Sequence, residues 1–166
     1  MKKLISLFLI ILIAFSLYGC ISQKKPYSSI YDGKKVLRIE TSYGGGHGML
    51  RHVRSFDFEH GVVTDTIEYM GDYTDADESG EYNDTEELAV FTAEQGQELI
   101  DNITILGFFF WEEQYRTKNI IYDGSSKLVY VLFADGTEKN TVIYYKDPPK
   151  YKAICKAFED TFGVSL

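Results

Sequence analysis

Two alternating runs meet at Asp135-Gly136, and this junction constrains the fold more than any other stretch. Lys127–Ala134 and Glu138–Tyr145 each alternate apolar and polar residues, the period of a half-buried strand. An Asp-Gly pair between two such runs predicts a hairpin, because the glycine takes the positive φ that a tight turn demands. The pairing is therefore antiparallel and local. Three earlier runs have strand character too. In the first, Leu37, Ile39, Thr41 and Tyr43 share one side; in the third, Val62–Met70, the residues Val63, Ile67 and Tyr69 do. Between them, Met49–His60 places Phe56 and Phe58 on one face but Val53 on the other parity, which predicts a bulge or a change of face. Gly44–Gly48 and His60-Gly61 supply the two turns.

Helical signals separate these strands from the hairpin and close the chain. Thr92-Ala93-Glu94-Gln95 is a capping box, in which a hydroxyl and an amide satisfy the free amides of a helix start. Leu99, Ile100, Ile103 and Leu106 form its apolar face, and Gly107 ends it ahead of Phe108-Phe109-Phe110-Trp111. A further strand is expected over Tyr115–Tyr122, with a turn at Asp123–Ser126. Asp147-Pro148-Pro149 stops the last strand and opens an amphipathic helix, Pro149–Phe162. Cys155 falls among Tyr151, Ile154, Phe158 and Phe162 on that helix and is expected as a small buried hydrophobe. Three strands, a helix, three strands and a helix predict an α+β fold: a single antiparallel sheet of five or six strands, with two helices packed on one face.

The N-terminal segment stands apart. Lys2 and Lys3 precede an apolar run from Leu4 to Phe15, and Leu17-Tyr18-Gly19-Cys20 closes it. A charged start, an apolar centre and a small residue before a cleavage point are the parts of an export signal. The stretch Leu4–Tyr18 is shorter than the ~20 apolar residues a membrane-spanning helix requires. With Leu17 at the apolar position, Gly19 at the small one and Cys20 last, the segment resembles a prokaryotic lipoprotein lipobox. Tyr18 departs from it as a bulkier occupant. The resemblance implies cleavage before Cys20 and a thioether-linked diacylglyceryl group on that residue. Two acyl chains hold where one does not, since each buried methylene contributes ~0.8 kcal/mol and a single chain attaches only reversibly. No twin-arginine pair is present, which points to the general secretory route. The expected organisation is a signal over 1–19, a lipidated cysteine with a flexible tether over 20–35, and one domain over 36–166.

Charge then limits the partners. The signal carries two lysines and no acid, so the remainder has 15 basic against 25 acidic residues, a formal charge of −10. Nucleic acid is not expected as a partner, because phosphate binding needs clustered Lys and Arg. An anionic bilayer would repel this body, whereas Lys24, Lys25, Lys34 and Lys35 in the tether would be drawn to it. With Cys20 lipidated, Cys155 has no intramolecular partner, and a structural disulfide is excluded.

Chemical motifs are few. Residues 71–87 hold eight acids and no base, a surface loop or lid. Within them Asp75-x-Asp77-x-Ser79-Gly80-x5-Glu86 matches the spacing of an EF-hand calcium loop, although the preceding run reads as a strand rather than the entering helix. The histidines are His47, His52 and His60. On a regular strand the last two would lie about 26 Å apart and could not share a metal. No Gly-x-Ser-x-Gly elbow occurs, and the glycine run lacks the lysine and helix of a phosphate loop. Catalytic, metal and cofactor-binding residues are accordingly expected to be none.

One resemblance reaches the domain itself. Gly44–Gly48 with Arg51, a helix ending in Phe108-Phe109, Asp123 before Val129-Val131-Phe133 and a Pro-led last helix are similar to the layout of emfourin-type metalloprotease inhibitors. The acidic stretch is an insertion relative to that layout. It implies a small exported inhibitor domain. The leading expectation is a lipid-anchored, surface-exposed, non-enzymatic binding domain for a protein or small-molecule partner. Metalloprotease inhibition and calcium-dependent binding through the acidic loop are the alternatives.

Overall fold

The computed structural model describes residue 31 and residues 33–44, 50–69, 83–116 and 126–166. The lipobox with Cys20, most of the tether, His47 and calcium-loop positions 75–82 lie outside them. Gly33–Leu166 forms one compact unit. Its elements are β1 (Val36–Gly44), β2 (Leu50–Asp57), β3 (Val62–Tyr69), β4 (Asn83–Val90), α1 (Ala93–Leu106), a 3₁₀ turn (Phe108–Phe110), β5 (Gln114–Arg116), β6 (Ser126–Phe133), β7 (Glu138–Tyr144) and α2 (Tyr151–Phe162).

The fold is α+β, but the sheet has seven strands in the order β4-β3-β2-β1-β6-β7-β5 and is mixed rather than wholly antiparallel. β5 runs parallel to β7, with Tyr115 opposite Ile143. The unexpected strand is β4. Asn83–Glu87, the end of the acidic stretch, is therefore paired sheet and not loop: Thr85 faces Thr66 and Glu86 faces Asp65. The two threonine hydroxyls lie 3.1 Å apart. Acidic side chains on the outermost strand also discourage another chain from adding to the edge.

β1 is the centre, hydrogen-bonded to β2 on one side and β6 on the other. Its expected alternation holds at Ile39 and Thr41 but not at Tyr43, which is exposed while Ser42 is buried, and an irregularity between Val36 and Arg38 makes Val36 rather than Leu37 the next buried residue. β2 keeps one unbroken register from Asp57 to Arg51. Val53 therefore reflects a change of face and not a bulge, buried on the side opposite Phe56.

Fully buried Ile39, Phe56, Val63, Val129 and Val131 share the inner side of the sheet. Phe56 meets Phe158 and Phe162 of α2, at ring-centroid distances of 4.7 and 5.8 Å. α1 contributes buried Gly96, Leu99 and Ile103. Its start is built as the capping box requires: Gln95 N–H donates to the Thr92 hydroxyl, and Thr92 N–H donates to the Gln95 side chain. The turn between β2 and β3 meets the lead into α1 at Gly61. There φ is +68°, and a Cβ would come within 2.4 Å of the Phe91 carbonyl oxygen. Only glycine fits that approach.

The Asp-Gly hairpin forms with Gly136 at φ +79°, and Phe133 N–H donates to the Thr137 carbonyl at 2.9 Å. Lys34, at the entry to β1, lies 2.7 Å from Asp135. That contact, followed by the bonds from Thr137, holds the Asp135 carboxyl at about 2, against an ordinary 3.8. A carboxylate depressed in this way adds stability above its unfolded value and loses it as pH falls from there through the folded value. Lys34→Ala is expected to move Asp135 back toward 3.8 in an NMR titration of its carboxyl carbon. An unchanged titration would remove Lys34 as the cause.

Candidate interaction surface

Among the described residues, those singled out in the sequence do not assemble into one site. Glu86, the last position of the calcium-loop pattern, is held in strand register opposite Asp65, and β4 continues to Val90 where an EF-hand would begin its exit helix. His52 lies on β2 with its ring stacked on Tyr43, centroids 5.1 Å apart and 5° between planes. His60 is in the β2–β3 turn, 2.8 Å from Asp57. The Asp57 hydrogen bond raises the His60 pKa, a local turn contact. Among the described residues, no three His, Cys, Asp or Glu side chains come together as a metal site.

Cys155 departs from expectation in being half-buried rather than buried. The inward positions of α2 are Ile154, Phe158 and Phe162, spaced by four residues. Cys155 is therefore about 100° around the helix from Ile154, next to a polar cluster missed in the sequence. Lys127 of β6 donates to the Tyr151 hydroxyl at 2.9 Å and to the Leu166 carbonyl at 2.6 Å. Arg54 of β2 donates to the Ser165 carbonyl at 2.9 Å and pairs with Asp65 at 2.9 Å. Burial lowers the Lys127 pKa, while burial and then neighbouring Cys155 raise that of Tyr151. The phenol therefore stays protonated and the two cations bind main chain. This cluster fastens the segment after α2 over the sheet, with Leu166 buried beneath it.

A second tie seats the start of α2. Buried Lys139 donates to the Trp111 carbonyl at 2.6 Å, and the Trp111 indole donates to the Pro149 carbonyl at 3.1 Å. Burial lowers the Lys139 pKa. A lone alternating residue such as Lys139 in a strand gives no sequence signal for this role, because its partners lie on other elements.

Concavity occurs on the outer side of the helices. α1 and α2 run antiparallel: Gly96, near the start of α1, and Phe162, at the end of α2, both approach Phe58 and Phe91. At the other end Trp111 packs on Tyr151. Between them lies an open groove of ≈ 540 Å³. Ala153 and Ala157 keep one wall low, while Glu98, Asn102 and Lys156 give it a polar rim. Ile105 also lines it and is 78% exposed, a large apolar side chain directed to solvent. Such a surface can hold a protein segment; it brings no nucleophile and base together.

No family model, curated protein or solved structure matches this chain. The fold and the groove therefore stand on their own geometry.

Proposed function

We infer that this protein is a lipid-anchored extracytoplasmic binding domain without enzymatic activity, attached through a diacylglyceryl group on Cys20. The observation that carries this reading is the N-terminal pattern: Lys2-Lys3, the apolar run and Leu17-Tyr18-Gly19-Cys20. No helix among the described residues is long and apolar enough to cross a membrane. Chain direction supports a binding role as well. The tether feeds β1 at one end of the sheet, and the links 45–49, 70–82 and 117–125 all leave from the other. The tethered end is thus distinct from the end bearing Tyr43, 48% exposed, and His52.

Mass spectrometry of the mature N-terminus tests the reading and should find a diacylated Cys20 as the first residue. An intact Met1 with an unmodified Cys20 thiol would overturn it. The metalloprotease-inhibitor alternative is separated by an assay of secreted metalloproteases, in which dose-dependent inhibition would favour it over the general binding role.

A further inference from the structure

We propose that the outer surface of the two-helix layer is the contact face of a homodimer, centred on Ile105 and steered by a charge pattern that complements itself. The pattern follows from helix direction. Exposed Glu94 and Glu98 lie in the first half of α1 and exposed Asp101 just past its middle, and its last turn holds no base. Exposed Lys150 caps the start of α2, and exposed Lys152 and Lys156 lie in its first half. Because the helices are antiparallel, these acidic and basic halves lie at diagonally opposite corners of the layer.

A two-fold axis along the other diagonal exchanges those corners. It lays the acidic half of α1 over the basic half of α2 in the second copy, and the reverse, as an isologous interface requires. The same axis passes by the Ile105 corner, so each Ile105 meets its counterpart beside the groove whose low wall is Ala153 and Ala157. At the remaining corner Glu159 and Asp160 approach their own copies. Lys156, 2.7 Å from Asp160, offsets part of that charge.

A second copy therefore fits better than an oppositely charged partner, which would satisfy one corner and oppose the other. Size sets the strength. The 14 residues of α1 span about 21 Å, and a neighbouring helix lies roughly 8–10 Å away. With each helix about 10 Å across, the two-helix layer is about 20 Å wide, and the patch is then about 400 Å² per copy, below the ~800 Å² per partner of a standard stable interface. The dimer is a weak one, populated between micromolar and millimolar concentration.

Sedimentation velocity over that range tests it on residues 21–166, a form without the apolar N-terminal run that could itself drive association. The expected result is a monomer–dimer equilibrium, weakened about tenfold or more, roughly 1.4 kcal/mol, by Ile105→Glu. Thermal unfolding of that variant should match the parent, since the side chain is exposed. Lys152→Glu with Lys156→Glu should weaken self-association, as should Glu94→Lys with Glu98→Lys, and mixing the two reversed proteins should restore dimers. A chain that stays monomeric throughout overturns the proposal. So does a dimer indifferent to Ile105→Glu, or reversed variants that fail to pair when mixed.

Discussion

Replacing Phe158 with alanine is expected to destabilise the domain by about 3–5 kcal/mol, the range for removing a buried aromatic ring. Phe158 is fully buried, its ring set edge-on against Phe56 at 4.7 Å and against Phe162 at 6.4 Å. Phe56 in turn stands on β2 opposite Ile39 of the central strand. Deleting the ring opens a void between α2 and the middle of the sheet, where neither element can collapse without breaking register or the ties at Lys127 and Lys139. Both the transfer cost and the cavity cost are then felt. Denaturant unfolding reads the effect as a lower midpoint with an unchanged slope. A loss below about 1 kcal/mol would mean that α2 is not seated on Phe56, because surface changes fall in that range.

The second large effect concerns attachment. Cys20→Ala is expected either to release the protein from the membrane fraction into the soluble extracytoplasmic fraction or to leave it misprocessed. On the proposed reading the substitution removes the thiol that would carry two acyl chains, each worth ~0.8 kcal/mol per buried methylene. Fractionation of cells expressing the two forms checks this. Retention of the variant with Met1 intact would be the misprocessed form; a parent protein that itself keeps Met1 and an unmodified Cys20 would point instead to the run Leu4–Tyr18 as the anchor.

Legibility differed from element to element, for physical reasons. The hairpin at Asp135-Gly136 and the capping box at Thr92-Gln95 depend on neighbours within a few residues, and both form where local chemistry places them. Phe158 and Phe162 also lie inward as their helical spacing predicts. β4 was illegible because Asp84, Glu86 and Glu87 disfavour a strand taken alone; the β3 ladder and the Thr66–Thr85 contact hold it in place. Cys155 shows the limit of spacing arguments within one helix. Four-residue steps from Tyr151 include it, but the face that α2 presents to Phe56 passes through Ile154. The groove was illegible too, since its walls come from helices that are separate in the chain.

Short-range patterns were enough to establish that the chain is α+β, where the turns at His60-Gly61 and Asp135-Gly136 and the capped start of α1 fall, and that its first twenty residues resemble a lipoprotein signal. Each of those signals rests on residues close in sequence, whose backbone preferences act before any fold exists. Strand order, the parallel pairing of β5 with β7, and the antiparallel setting of the helices required the folded chain. They bring together segments tens of residues apart, and burial against a partner outweighs local preference there. The diagonal arrangement of acid and base around Ile105 belongs to this second kind. Neither helix carries it alone.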